Sequence, residues 1–322
     1  MSIKVTIVVT CYRRQAYLPL AIKSIKAQSR QPDEIIVVKS PEVRLLEGSV
    51  KVIDDDSPHI GKKIIEAAEE ATGDIIMFLD DDDEFEKNKV NVVSMFFENI
   101  SELTYVHNST SCITNSGMEV RKVRYHFRIP PYVKPCSQIN QQVIFNLSDD
   151  YEFNRWLWAG AAFNASSISI RREVLMKVKH YVSQISVISD SVLYYSAALN
   201  GGLALLIPDK LTKYRVHEGN VSRGRLSSFN DYVESMRILI NRVIHDYAII
   251  CEMTKGSKFE RYACVESIMY NAIARIFNGQ GELSLRYLNS HTFKYYLMAL
   301  LPGWLKNIIA RRWYEASLNP FT

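Results

Sequence analysis

The sequence has few cysteines, and none of them has the spacing that cysteine chemistry requires. The five cysteines are odd in number and widely spread, with no CxxC pair of the kind used by zinc or redox sites. This pattern argues against such sites and favours a reducing compartment. With 322 residues, 47% of them hydrophobic, the chain can bury a core without disulfides or structural metals.

Long apolar runs, a strong charge excess and a leader-like N-terminus are also missing. No run reaches the roughly 18–20 apolar residues of a membrane-spanning helix. The net charge of +4, from 39 basic and 35 acidic residues, gives no case for nucleic-acid binding. The N-terminus enters a strand-like run, residues 3–9, without a cleavage site. We therefore expect a cytoplasmic protein with no span, either free or peripheral on the cytoplasmic membrane face.

The first hundred residues alternate short β-rich runs with helical patterns. Two runs, residues 35–38 and 75–79, are apolar on both faces, as central strands of a parallel sheet are. The alternation predicts an α/β fold with a mostly parallel, Rossmann-like central sheet and flanking helices. In such sheets, ligands bind beyond the carboxyl ends of the strands.

The pattern changes twice along the chain, which predicts two regions. We expect a catalytic domain over residues 1–225, with a first half of about 1–100 and a second half of about 101–225. Residues 226–322 then read as wholly helical. Their last segment, 293–314, mixes basic with aromatic and aliphatic residues, which fits either a helix in a membrane interface or a core-packing helix pair.

An acidic run carries the strongest chemical signal. Asp80, Asp81, Asp82 and Asp83 directly follow the apolar strand predicted at 75–79. Adjacent carboxylates repel one another, and a divalent cation among them relieves that repulsion. Hard oxygen ligands favour Mg²⁺ or Mn²⁺ together with substrate phosphates. The sequence therefore predicts a Mn or Mg cofactor at the rim of the sheet.

The acidic run has other possible roles besides metal binding. A solvated loop that caps a following helix is the plainest alternative, because aspartate is a good N-cap. A P-loop fails at Gly61 and an EF-hand loop fails at Phe85, which stands where glycine is needed. A Mg-dependent phosphohydrolase, with Asp80 as nucleophile and Asp82 as acid/base, stays open, although Glu84 stands where such enzymes have Thr or Val.

Several blocks of the sequence resemble inverting glycosyltransferases of family two, which have the GT-A nucleotide-sugar fold. The blocks keep that family's order and approximate spacing over residues 3–223. They are 8–18 (VVTCYRRQAYL), 71–83 (ATGDIIMFLDDDD), 171–173 (RRE), 189–190 (SD) and 214–223 (YRVHEGNVSR). The resemblance implies transfer of a sugar from a nucleotide-sugar donor to the hydroxyl of a glycan or lipid-linked acceptor, with inversion.

The resemblance also implies how the donor is held. Thr10, Tyr12 and Arg13 match the turn that binds the nucleotide. Asp80 and Asp82 match the ends of the metal motif, where a metal bridges the diphosphate. Asp80 and Asp81 are also expected among the residues that bind the donor nucleotide.

The later blocks imply the remaining catalytic groups. Asp190 matches the general base that takes a proton from the acceptor hydroxyl, although a helix N-cap is the structural alternative. His217 lies in the segment that closes over the diphosphate, so it is a candidate metal ligand, and Arg215 is a candidate partner of phosphate oxygens.

Departures from the family pattern leave two questions open. Lys39 and Ser40 replace the usual aspartates after the second strand, so we name Asp55 as the substitute carboxylate for the nucleotide. Ser189 replaces the glutamate before Asp190. These changes keep a second hypothesis in view, a degenerate member that binds nucleotide sugar without turnover.

The acceptor side is predicted from an aromatic stretch. Trp156, Trp158 and Gly160 lie together in the second half of the predicted catalytic domain. Aromatic surfaces stack on sugar rings, so we expect this stretch to shape the acceptor subsite.

Overall fold

The structure is a computed structural model, and it describes residues 2–13, 15–45, 50–120, 139–220, 224–277, 281–284 and 290–318. The strands are β1 Val5–Cys11, β2 Glu34–Lys39, β3 Lys51–Asp54, β4 Ile75–Asp80, β5 Glu84–Phe85, β6 Leu103–Ile113, β7 Glu119–Val120, β8 Val143–Asn146, β9 Ile168–Arg171 and β10 Leu203–Arg215. The helices are α1 Leu18–Lys26, α2 Ile60–Glu70, α3 Lys89–Asn99, α4 Asp150–Trp156, α5 Arg172–Lys177, α6 Lys179–Val182, α7 Ser189–Asn200, α8 Phe229–Met253, α9 Glu260–Phe277, α10 Ser290–Leu300 and α11 Gly303–Leu318.

The strands form one sheet in the order β3-β2-β1-β4-β9-β6-β10-β5, with β7 paired to β6 and β8 to β10. The first four strands in that order are parallel to one another. The strand β9, antiparallel to both its neighbours, joins these four strands to the parallel pair β6 and β10. The predicted α/β class, with a GT-A-like sheet and a helical C-terminal region, is confirmed.

Helices cover both faces of the sheet because its strands are apolar on both. β1 is buried at every position, and its side chains alternate between two cores. Val5, Ile7 and Val9 face the core formed with α1 and α3, whereas Val8 faces the core formed with α2, α5 and α7. The second core continues without a break into α8, α9, α10 and α11.

The structure adds local detail to the predictions. The helix that follows the acidic run begins at Lys89, because Glu84 and Phe85 first form a short strand against β10. The terminal segment is a pair of helices, one of the two predicted forms, and Pro302 separates them because it has no N–H to continue the first one. Within the predicted helical region, residues 285–289 lie outside the described residues.

The cysteines also differ from the expectation of an unpaired, reduced set. Cys251 on α8 and Cys264 on α9 form a disulfide. The two residues are brought together by the packing of their helices, which sequence spacing does not show. No helix among the described residues has the length and apolarity needed to cross a bilayer.

Candidate active site

The ends of four neighbouring strands meet at one edge of the sheet. Thr10 is in register with Asp80 of β4 and with Val38 of β2, and Lys39 is in register with Asp54 of β3. The hydroxyl of Thr10 donates to Asp80 Oδ1 at 3.4 Å. This edge therefore carries the predicted nucleotide turn and the start of the acidic run together.

Three of the four adjacent aspartates form a compact carboxylate cluster. One oxygen from each of Asp80, Asp82 and Asp83 lies within 4.8 Å of the others, with Asp82 and Asp83 buried and Asp80 partly exposed. Burial, followed by the charges of Asp82 and Asp80, raises the pKa of Asp83 well above its usual range. The three carboxylates fit a Mg²⁺ or Mn²⁺ ion, because the donors are hard oxygens and a cation would offset their repulsion. Asp81 is buried beside them.

The acidic run is not a helix cap. Helix α3 begins at Lys89 and is preceded by Asn88, whose side chain makes no capping bond. The structural alternative for the run is therefore wrong.

The structure gives Arg215 a different environment from the one predicted. Its side chain is fully buried, and its Nε donates to the Asp82 carbonyl at 2.9 Å. Its other guanidinium nitrogens bond to Glu84 and to the carbonyls of Thr114 and Asn115. Because these bonds turn the guanidinium toward the protein, the geometry favours a positioning role over the predicted contact with phosphate. The backbone N–H of Arg215 donates to Asp83 Oδ1 at 2.9 Å, which fixes the loop further.

His217 lies against the carboxylate cluster, which is where a residue predicted to be a metal ligand has to lie. The N–H of Gly219 donates to His217 Nδ1 at 3.1 Å, so the proton of the neutral ring lies on Nε2. That nitrogen lies 2.9 Å from Asp82 Oδ2 and donates to it. Tyr17 packs on the ring with centroids 5.0 Å apart. His217 can hold Asp82 in place, or give up this bond to bind a cation itself.

Asn164 connects the carboxylate cluster to the predicted base. Its side-chain nitrogen donates to Asp83 Oδ2 at 3.2 Å, and its backbone N–H donates to Asp190 Oδ2 at 3.0 Å. Its own Oδ1 accepts from the N–H of Ser166 at 2.8 Å. The residue is buried and has φ 62°, which asparagine tolerates better than most residues. Sequence reasoning assigned no role to Asn164, whose only signal is a short stretch of small and polar residues, 164–167, before an apolar strand.

Asp190 lies in the first turn of α7, but it does not cap that helix, whose N-cap is Ile188. Its two carboxylate oxygens accept from the N–H groups of Asn164 and Ser191. Burial raises the pKa of Asp190 and the hydrogen bonds lower it; burial is the larger effect, and the resulting pKa is about 6. A carboxylate with this pKa is suited to take up a proton near neutral pH.

A buried lysine supports the cluster from behind. Lys89 Nζ donates to the carbonyl of Ser166 and, at 2.9 Å, to the hydroxyl of Thr212. Burial holds the pKa of Lys89 well below its usual range, against the opposing charge of Asp83. The hydroxyl of Ser166 in turn accepts from the N–H of Asp80 at 3.0 Å. These bonds tie β4, α3 and the segment after Asn164 into one support.

The predicted nucleotide turn is open to solvent. Tyr12 is 37% exposed, and Arg13 has φ 54°, with its N–H donated to Ser40 Oγ at 3.2 Å. The Arg13 guanidinium pairs with Asp56, at 2.8 Å for the shortest contact, and lies 5.1 Å from the Tyr12 ring. Tyr12 thus presents a ring at the strand edge, beside a fixed positive charge.

Lys39, which departs from the family pattern, is the last residue of β2, and Asp55, the predicted substitute carboxylate, directly follows β3. Lys39 Nζ pairs with Asp54 at 2.5 Å. Asp55 is buried, and burial raises its pKa, but bonds from the N–H of Ser57 and from Lys62 overcome this and lower the pKa of Asp55 below its usual value. The structure therefore keeps the carboxylate of Asp55 charged at the edge where the nucleotide is predicted to bind.

The two tryptophans differ in their surroundings. Trp156 is engaged in packing: its ring stacks on Phe145, and its indole N–H donates to Glu152 at 2.7 Å. Trp158 is partly buried and donates to Asn154 at 3.0 Å. Gly160, with φ 105°, turns the chain out of the helical segment toward Asn164.

This chain is similar to a known family in sequence and to solved structures in fold. A family model described as glycosyl transferase family 2 matches residues 6–178. Crystal structures of S. aureus TarS 1-349 in complex with UDP and with UDP-GlcNAc each superpose with a TM-score of 0.52 at 14% identity, covering 98% of this chain and 90% of that one. A third structure, of TarS 1-349, gives a TM-score of 0.50 at 14% identity, covering 98% and 89%. No curated protein matches the sequence. At this identity the structural likeness is evidence for the fold.

Proposed function

The chain belongs to glycosyl transferase family 2 and is a glycosyltransferase, and from that premise we propose that it moves a sugar from a nucleotide-sugar donor to an acceptor hydroxyl with inversion. The observation that carries the proposal is the link through Asn164, which touches Asp83 of the carboxylate cluster and Asp190 at the same time. Donor diphosphate and acceptor hydroxyl must meet within a few ångströms for direct displacement. A single connected network of this kind suits that requirement.

In the proposed reaction, Asp190 accepts the proton of the acceptor hydroxyl as its oxygen attacks the anomeric carbon. The new oxygen–carbon bond forms while the bond from that carbon to the diphosphate oxygen breaks, and the nucleoside diphosphate leaves. Attack from the face opposite the leaving group inverts the anomeric centre. The low-dielectric surroundings that raise the pKa of Asp190 to about 6 make it a usable base at neutral pH.

Asp80, Asp82 and Asp83 would hold a divalent metal, with His217 as a further ligand or as the group that orients Asp82. Such a metal would neutralise charge on the departing diphosphate. Arg215 keeps the loop in shape through the Asp82 carbonyl and the Glu84 carboxylate.

For the donor, Thr10, Tyr12 and Arg13 are proposed to hold the nucleotide, with Asp55 accepting from the base. The TarS structures contain UDP and UDP-GlcNAc, so uridine donors are the first to test. Lys39 and Ser40 stand where the family's usual aspartates would be. Donors with different nucleotide bases must therefore be compared.

For the acceptor, the proposal places a glycan or lipid-linked hydroxyl beside the segment that runs from Trp158 to Asn164. Trp158 is favoured over Trp156 for stacking on a sugar, because Trp156 packs on Phe145. Residues 226–322 are proposed as a helical region that contacts a membrane surface.

The phosphohydrolase alternative finds no support in the geometry. Glu84, which stands where that alternative requires Thr or Val, pairs with the buried Arg215 as part of the loop's framework.

A ligand-binding experiment tests the proposed donor site. We would measure thermal shifts with UDP-, GDP-, dTDP- and CMP-sugars, with and without Mn²⁺, because a ligand that binds the native state raises its melting temperature. One nucleotide should give a Mn²⁺-dependent shift that Asp82→Ala abolishes and that Asp209→Ala, an exposed aspartate on β10, leaves unchanged. Absence of a shift with every donor would contradict the proposal.

A further inference from the structure

A cavity of about 480 Å³ lies between α8, α9 and α11, and its lining residues do not include those of the carboxylate cluster. Three cationic side chains line it: Arg275 from α9, and Lys306 and Arg311 from α11. One acidic side chain, Glu234, lines it as well, but Glu234 pairs with Arg237 at 2.6 Å. The cavity therefore has an excess of positive charge.

The start of α11 also favours an anion. Gly303, the first residue of this 16-residue helix, lines the cavity, and a helix start presents backbone N–H groups and the positive end of its dipole. Arg275 is anchored in the cavity wall, because its Nη1 donates to the Gly281 carbonyl at 3.3 Å.

The remaining wall of the cavity is apolar. Val233, Ile276 and Phe277 line it, and Phe229 lies under the Arg311 guanidinium at 4.3 Å. An anionic group joined to an apolar one matches this combination better than a free inorganic anion does.

α10 and α11 each carry exposed apolar side chains, which together are called the apolar strip, and those of α11 adjoin the cavity. On α10, Phe293, Leu297 and Leu300 recur at helical spacing and are 48–58% exposed. On α11, Trp304 is 65% and Ile308 43% exposed. Helical spacing places Trp304 beside the cavity-lining Asn307 and Ile308 beside Arg311, so the strip and the cavity mouth share one helix.

We propose that this cavity binds the phosphate group of an anionic membrane phospholipid, with the acyl chains against the strip of Phe293, Leu297, Leu300, Trp304 and Ile308. Charge complementarity selects this occupant, because three cations line the cavity while exposed apolar side chains lie beside it on α11. Two further exposed cations, Lys294 and Arg312, lie among the apolar residues along α10 and α11. The inference rests on the proposed membrane contact of residues 226–322 and is independent of the transfer chemistry.

The test is flotation of the full chain with two kinds of vesicle, phosphatidylcholine alone and equal parts phosphatidylcholine and phosphatidylglycerol. The double variant Lys306→Gln/Arg311→Gln removes two cavity cations. The matched control Lys294→Gln/Arg312→Gln removes the same charge from positions outside the cavity lining. Each cation near an anionic surface contributes about 1 kcal/mol, so diffuse attraction alone predicts a similar loss, roughly thirtyfold, for both pairs.

The proposal predicts a loss of phosphatidylglycerol binding at least about tenfold greater for the cavity pair than for the control pair. Asn307→Trp fills the cavity without changing its charge and should also lose binding, although a tryptophan by itself favours membrane interfaces. Equal losses for the two pairs, or displacement of the vesicles by inorganic phosphate, would overturn the phospholipid site.

Failure of the membrane contact itself has a different signature. If wild-type protein floats with neither vesicle, the result contradicts both the proposed membrane contact and the proposed phospholipid site. Donor hydrolysis, measured on every variant, should match the wild type and reports on the transferase proposal separately.

Discussion

Asn164 is the residue on which the proposed site depends most. Its side-chain amide donates to Asp83, 81 residues away, and its backbone N–H donates to Asp190, 26 residues away. A backbone with φ 62° lets one residue make both bonds.

Substitution of Asn164 should separate its side chain from its backbone. Asn164→Gly keeps the backbone bond to Asp190 and accepts a positive φ, but it loses the amide that bonds Asp83. We expect about a tenfold rise in the Mn²⁺ concentration that gives half-maximal donor hydrolysis. We also expect a loss of about 1–3 kcal/mol of stability, because the buried N–H of Ser166 loses its acceptor. Asn164→Ala should show the same metal effect and lose a further ~1 kcal/mol of stability from backbone strain. A wild-type Mn²⁺ requirement in the glycine variant would contradict the role of the amide.

The pH dependence of transfer should report on Asp190. Its pKa is raised to about 6, and the base works only when deprotonated. The value of kcat/KM should therefore rise as pH increases through about 6 and level off above it. Ser189→Ala, a neighbour without the carboxylate, should keep this profile. A rate that is independent of pH between 5 and 7 would exclude Asp190 as the base.

At the scale of elements, the strands were predictable and the segments between them were not. β1, β2 and β4 follow from apolar runs, and their parallel register then brings Thr10 and Asp80 together. The segment from Trp156 to Asn164 did not follow from periodicity, because it is a distorted helix that turns at Gly160. The contacts of Trp156 with Phe145, and of Arg215 with the acidic loop, likewise depend on tertiary packing.

The pairing of α8 with α9 encloses a carboxyl group that should make stability depend on pH. Glu266 on α9 is buried, neither of its oxygens has a hydrogen-bond partner among the described residues, and burial raises its pKa to about 8. The unfolded chain releases this proton near pH 4.5, whereas the folded chain keeps it until about pH 8. Between those values the folded state binds more protons, so the free energy of unfolding falls as pH rises.

Glu266→Gln should remove this dependence. We expect the variant to be more stable than the wild type at pH 8, by on the order of a few kcal/mol, and closer to it at pH 5. Urea unfolding at both pH values measures the difference, with the exposed Glu252→Gln as control. An unchanged pH slope in Glu266→Gln would show that Glu266 is not the group responsible.

At the scale of the whole molecule, the predicted boundary near residue 225 does not interrupt the core. The larger core joins α7 to α8 and α9. Asp246 on α8 is fully buried, and its carboxylate accepts from the N–H groups of Ser186, Val187 and Ile188. Those residues lie two to four positions before Asp190, so α8 holds the segment that leads into the proposed base.

Asp246→Ala should therefore weaken both folding and turnover. It leaves three backbone donors without their acceptor, and we expect a loss of about 3 kcal/mol or more in the free energy of unfolding. Turnover should fall further than donor affinity, because the loop before Asp190 loses its support. Asp231→Ala, on the exposed start of the same helix, is the control. Wild-type turnover in Asp246→Ala would disprove the coupling.

The most direct test of the transferase site compares donor binding with donor turnover in wild-type protein, Asp82→Ala and Asp190→Asn. The donor that gives a Mn²⁺-dependent thermal shift is incubated with each protein, and the released nucleoside diphosphate is quantified. Wild-type protein should bind and release, Asp82→Ala should do neither, and Asp190→Asn should bind normally while releasing about 10²–10⁴-fold more slowly. Release by Asp190→Asn at the wild-type rate, or normal binding by Asp82→Ala without metal, would contradict the assignment of the two carboxylate groups.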